Sequence, residues 1–145
     1  MPAPTVEQLL GTSHFRVLVG LREIGFCSVG RISSEVEVDA LTGERRDRFA
    51  TIVLRRALTR STDLYDWRRA VVAGKRDRRA VTIEQLDAAG GAVVNAWRLE
   101  RAWPVKWDGP DFDALATGIA FEELELAFDD VVWLPPAAKL TTKGD

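Results

Sequence analysis

Few side chains in this chain have the type and spacing to do chemistry. His14 is the sole histidine and Cys27 the sole cysteine. An imidazole acting as a general base needs a hydroxyl or thiol partner, and no Ser or Cys motif accompanies His14, which reads as a surface or strand-end residue. Cys27 follows Phe26 in an apolar setting and reads as a small buried hydrophobe. One thiol makes neither an internal disulfide nor a thiolate zinc cluster. Asp108, Asp111 and Asp113 surround Gly109-Pro110, but the spacing and closing bidentate Glu of a calcium loop are missing, so a solvated turn is expected. Gly74-Lys75 lacks the upstream glycine of a phosphate loop. The run Lys75-Arg76-Asp77-Arg78-Arg79 is short and interrupted, more a solvated connection than a nucleic-acid patch. No catalytic, cofactor-binding or metal site emerges.

What remains is aromatic. Along Asn95 to Trp107, residues Trp97, Leu99, Trp103, Val105 and Trp107 occupy odd positions, while Arg98, Glu100 and Lys106 occupy even ones. Strand side chains alternate between faces, so this spacing implies one apolar and one charged face. Five Trp and six Phe would also suit a stacking platform for single-stranded nucleic acid. Their place on the apolar parity favours the core, with Trp67, Trp97, Trp103 and Trp107 as core aromatics. Truncating Trp103 to Ala is then expected to cost ~3–5 kcal/mol.

The elements that must hold these residues can be read in turn. The 145 residues suit one domain, able to bury roughly 68–70% of its unfolded surface. Hydrophobic residues at 46%, charged residues at 29% and a net charge of −2 are ordinary for a globular chain, and give no global field toward nucleic acid or anionic membrane. The N-terminus resembles no secretory signal, and no run reaches the ~20 apolar residues of a membrane span. Synthesis in the cytoplasm, without a membrane anchor, is expected.

Residues 15–21 alternate as a strand, Gly25 to Ile32 reads as a bend or irregular strand, and Glu35 to Asp39 as a strand with Glu35, Glu37 and Asp39 on one face. Leu41 to Arg48 reads as an exposed hairpin loop and Thr51 to Leu58 as its partner strand. Ser61-Thr62 caps the one helix, with Leu64, Trp67 and Val71 as its apolar stripe and Gly74 as its stop. Val81 to Leu86 and Ala92 to Trp103 form a hairpin. In the strand from Ile119 to Phe128 the apolar parity changes between Phe121 and Leu124, which suggests a β-bulge. The expected fold is mainly β with one α-helix, an antiparallel β-sandwich or partly open barrel. Its core spans about residues 15–128, between flexible segments 1–12 and 135–145. Glu123 and Glu125, like Glu35, Glu37 and Asp39, are wet strand faces in a monomer, or the lining of an aqueous lumen in a closed multi-subunit barrel.

Ala102-Trp103-Pro104-Val105-Lys106-Trp107-Asp108-Gly109-Pro110 is a specific signal, supported by Leu64-Tyr65-Asp66-Trp67 and Ala120-Phe121-Glu122-Glu123-Leu124-Glu125-Leu126-Ala127. With weaker matches from Phe15 onward, these resemble the tail tube proteins of contractile phages and the inner tubes of extracellular contractile injection systems. That family is related in fold to the hemolysin-coregulated tube protein of type VI secretion. The resemblance implies hexameric rings stacked as a hollow tube inside a contractile sheath, on a baseplate, conducting DNA or effector protein. It implies no enzyme activity, no cofactor and no sequence-specific nucleic acid. The tube would assemble in the cytoplasm and become part of a virion or injection particle. Arg45, Arg46 and Arg48 would then lie in the loop that reaches the adjacent ring. A specialised ring that starts the tube at the baseplate is the alternative within the family, and a monomeric nucleic-acid or sugar binding module the alternative outside it. The chain departs from the family at Phe128-Asp129-Asp130, where His-Glu-Gly is usual.

Overall fold

Strand β1 (Phe15–Val19) turns at once into β2 (Arg22–Ile24), so residues 15–21 do not form one strand. Gly20, at φ 63°, supplies the left-handed residue of a two-residue hairpin turn. Leu21 sits fully exposed at its tip. The structure, a computed structural model, describes residues 10–34, 36–38, 40–43, 45–47 and 50–134, with backbone alone for 36–38 and 45–47. Expectations for segments 1–9 and 135–145 and for Glu35, Asp39 and Arg48 therefore lie outside the described residues.

The chain continues through β3 (Ser28–Val29), β4 (Val36–Val38), β5 (Arg45–Asp47), β6 (Ala50–Ala57), α1 (Asp63–Val72), β7 (Arg79–Leu86), β8 (Val93–Asp108), β9 (Phe121–Phe128) and β10 (Asp130–Leu134). Every described pairing is antiparallel, in the order β2-β1-β7-β8-β9-β6-β3, with β10 also on β8. β4 and β5 pair only with each other, as a separate ribbon. The expected mainly antiparallel, open β architecture with one helix is the one observed.

The longest strand, β8, serves two sheets. Its first half pairs β7 on one edge and β10 on the other, while its second half pairs β9. β9 and β10 run along β8 in one continuous register, Trp103 opposite Ala127 and Glu100 opposite Asp130. Together they make a single ribbon bent at Arg101 and Asp129. Arg101 has φ 51°, a left-handed value that costs a non-glycine residue roughly 1–2 kcal/mol. At this corner the Asp129 carboxylate accepts hydrogen bonds from Arg101 and Arg78. The unusual Phe128-Asp129-Asp130 stretch is therefore the bend itself.

Between the two halves lies the core: Val17, Val81, Ile83 and Leu99 from one sheet, and Ile52, Leu54, Leu124, Leu126 and Phe128 from the other. Leu64 and Trp67 of α1 join them. Burying so many aliphatic side chains, at ~25 cal/mol per Å² of apolar surface, is what holds the layers together. The helix ends as its sequence implies. Gly74, at φ 94°, donates to the Val71 carbonyl and Lys75 to that of Ala70, the paired bonds of a Schellman motif. At the other end Thr62 caps by position only. Its hydroxyl donates to Asp66 (2.9 Å), and the Asp63 N–H turns to the Ser61 hydroxyl (3.4 Å).

Three departures from strict alternation correct the reading of β8. Against β7 and β9 its register slips near Val94, at Glu100-Arg101 and at Val105. Each bulge reverses the faces that follow it. Leu99 and Trp107 keep the apolar parity and pack on the core, but Ala102 and Pro104 replace Trp103 and Val105 inside. Trp97 and Trp103 are only partly buried, Trp97 against Trp133 and Trp103 beneath the Arg78 guanidinium, 3.9 Å from the ring centre. In β9 the expected bulge is absent, since pairing with β6 is unbroken from Phe128 to Phe121. The apparent parity change arises because Glu122, a carboxylate, occupies an interior position.

Candidate assembly surfaces

Glu122 anchors a cluster of buried charge that sequence reasoning missed. It accepts from Arg56 at 3.0 Å (Nε) and 2.7 Å (Nη2), and from the Trp107 indole at 2.8 Å. The same guanidinium donates to Asp63 at 2.7 Å, at the start of α1, and Arg22 approaches Asp63 at 3.6 Å. Tyr65, on the helix, packs edge-on against Trp107 at 5.0 Å. The arrangement fastens helix to sheet. Among the described residues no buried side-chain nitrogen or oxygen lacks a hydrogen-bond partner. The single sequence clue was a Glu on the apolar parity of its strand.

Burial alone would raise the Asp63 carboxyl, but the Arg56 hydrogen bond and charge outweigh it and hold Asp63 below the usual carboxylate range. Burial likewise opposes the Arg56 charge, and the two carboxylates more than restore it. A carboxyl depressed by folding adds stability that is complete above its unfolded value of about 3.9 and is lost as pH falls through its lower folded value. Thermal midpoints should therefore hold steady above about pH 4 and drop below it. Asp63→Asn should be less stable at neutral pH and show a shallower acid limb. Part of that limb remains in the variant, since Asp77, beside Arg79, and Asp87, bonded by turn amides, are also depressed. Identical acid slopes in variant and parent would remove Asp63 from this role.

On the outer face of the second sheet, Glu123 and Glu125 stand together on β9, opposite Arg55 and Val53 of β6. Arg55 lies 4.0 Å from Glu123 and stacks 3.8 Å over Phe121. With Lys106 and Asp108 on β8 this is a mixed charged face. Beside it a cleft of about 410 Å³ is lined by Arg55, Asp108, Pro110, Ile119 and Glu123. Glu37 is not part of this face. It lies in the separate ribbon, in register with Arg46, while Arg45 stands opposite Val38. Arg45 and Arg46 thus sit on a paired strand of the expected hairpin and not in the loop at its tip.

Cys27 is exposed, contrary to the buried reading, because it precedes the two-residue edge strand β3; its thiol contacts the Arg55 carbonyl at 3.3 Å. His14, also exposed, has Ser13 at 3.3 Å. Among the described residues no His, Cys, Asp or Glu group could hold a metal ion, and no helix is long and apolar enough to cross a membrane. Several apolar side chains point to solvent: Phe112, Leu115 and Ile119 in the loop between β8 and β9, and Trp133 on β10. Exposed apolar groups clustered on one loop mark a contact surface more readily than a catalytic one.

Residues 11–132 match the family model described as T4-like virus tail tube protein gp19. No curated protein matches. Among solved structures, a chain in the sheath–tube complex of the extracellular contractile injection system PVC, in its extended state, is 27% identical, covering 90% of this chain and 94% of that one at a TM-score of 0.75. A chain in the tube-terminating cap of the anti-feeding prophage is 22% identical over 92% and 96%, with a TM-score of 0.76. Hcp1 of Flavobacterium johnsoniae, 17% identical over 83% and 94%, shares the fold at 0.59.

Proposed function

The chain belongs to the family of the T4-like virus tail tube protein gp19, and on that premise we propose that it is a subunit of the inner tube of a contractile injection particle. Six copies close into a ring, rings stack into a hollow tube inside a sheath, and the tube grows from a baseplate. It conducts DNA or an effector protein into a target cell. The role is structural, with no catalysis and no cofactor. Copies assemble in the cytoplasm before joining the finished virion or particle.

The observation that carries this reading is the family match together with an open sheet. The terminal strands β2 and β3 each leave an edge with no partner among the described residues, and such edges invite pairing with another chain unless something covers them. A ring of identical subunits satisfies them without uncontrolled aggregation. Glu123 and Glu125 then face the aqueous lumen. Electron microscopy of the purified protein, with sedimentation of the same sample, tests the proposal. Rings with a central hole are expected, and a strict monomer at every concentration, with or without baseplate components, would refute it.

The ribbon carrying Arg45 and Arg46, with Arg48 beyond it, is the proposed contact between stacked rings. Changing all three to Glu should leave the fold and the single ring intact while reducing stacking at least tenfold. The effect should weaken at high salt, as exposed charge contacts do. Tubes of normal length from this variant would end the assignment.

A further inference from the structure

One surface pair is left unexplained by edge pairing and by the ribbon. Where β1, β7 and the first half of β8 approach β3 without hydrogen bonding to it, the sandwich stays open as a groove of about 510 Å³. Phe15, Val29, Ile32, Ile83 and Trp97 give it an apolar lining. Arg31, next in sequence to the lining residues Gly30 and Ile32 but not itself in the lining, is exposed and forms no ion pair with a described residue.

A cluster of exposed apolar side chains lies where β8 ends. The loop after Asp108 presents Phe112, Leu115 and Ile119 with exposures of 85%, 95% and 72%, so none is seated on its own chain. The loop has built structure. The Asp113 carboxylate accepts the Leu115 N–H at 3.0 Å, its carbonyl accepts that of Ala116 at 3.0 Å, and the Ala120 carbonyl accepts the Leu58 N–H at 2.9 Å. Asp111 and Asp113 flank Phe112, and no Lys or Arg occurs from Trp107 to Ala138. The knob is apolar with an acidic collar, and the groove is apolar with an arginine, unpaired among the described residues, beside it in sequence.

We propose that the loop of residues 109–120 docks its Phe112 and Leu115 side chains into this groove on a second copy of the same chain, with Arg31 meeting the Asp111–Asp113 collar. This rests on the tube-subunit reading and deepens it. Donor and acceptor are different parts of one chain, so the contact is heterologous, and each copy can both give a loop and receive one. Burying these two side chains removes apolar surface that a lone subunit leaves in water. Opposite charge beside the groove sets the direction of approach.

The sole cysteine, Cys27, lines the groove and is exposed, which supplies the test. In an Ala114→Cys variant, which keeps both docking side chains, treated with a short bis-maleimide, each chain carries one acceptor thiol and one donor thiol. A ladder of covalent dimers, trimers and longer chains is expected on a denaturing gel, whereas the parent, with Cys27 alone, stops at dimers. Adding Phe112→Asp should suppress the ladder at least tenfold. No ladder beyond dimers, at a concentration where the parent associates, overturns the loop–groove contact and leaves the tube reading standing. If the parent itself associates under no condition, the tube reading and this contact fall together.

Discussion

Glu122→Ala is expected to lower the free energy of unfolding by about 3–5 kcal/mol, the range for removing one partner of a buried ion pair. The cause is what remains. Arg56, almost fully enclosed, loses two hydrogen bonds, and the Trp107 indole N–H loses its only described acceptor. A buried donor left without a partner forfeits its hydration with no return. Replacing Arg56 and Glu122 together by leucine should cost less than the single change, since two apolar side chains then meet. Asp63 can keep its contacts with Arg22 and the Leu64 amide. Urea titrations of the three proteins at an unchanged slope give the comparison. A loss under about 1 kcal/mol for Glu122→Ala would mean water reaches the site, and the fastening role would be lost.

Trp67→Ala should be as damaging, about 3–5 kcal/mol, through the cavity left by a full indole. Trp67 is 1% exposed, donates to the Asp77 carbonyl at 2.7 Å and has the Arg79 guanidinium 4.5 Å above its ring. Trp103→Ala, by contrast, removes a ring that is partly in water and lies against Arg78. The expected loss there is about 1–2 kcal/mol, from partial burial and a cation–π contact. This corrects the larger value that alternation alone suggests. Equal losses for the two variants would restore the simpler picture of β8 as one uninterrupted amphipathic strand.

Local chemistry made some of the fold legible. The helix could be read because Thr62, the Leu64/Trp67 stripe and Gly74 are short-range signals, and the Asp87 to Gly91 turn because its residues stabilise it directly. The bulges of β8 could not, since a shift of register depends on partners far along the chain. Arg101 gives no hint of its left-handed backbone. Glu122 misled for a related reason: a carboxylate at an interior position looks like a change of face until Arg56 is seen beside it. β10 escaped notice because its hydrophobic residues follow two aspartates that resemble a chain ending and are in fact a bend. Among the surface residues, Glu123 and Glu125 do share a face. Glu37 stands on a different strand pair, in register with Arg46, and period-two alternation says nothing about which sheet a strand joins.

The bent ribbon of β8 with β9 and β10 has a mechanical consequence. In an ordinary sandwich two sheets adhere through side chains, and sliding one past the other needs only repacking. Here the same peptide backbone crosses from one layer to the other, so the layers are spliced instead of laminated. A shear load on either layer reaches the other through covalent bonds and a hydrogen-bonded ladder strained in parallel. The weak planes of such a fold lie outside the spliced pair of layers, and on the proposed tube-subunit reading that stiffness would let the part bear thrust without deforming.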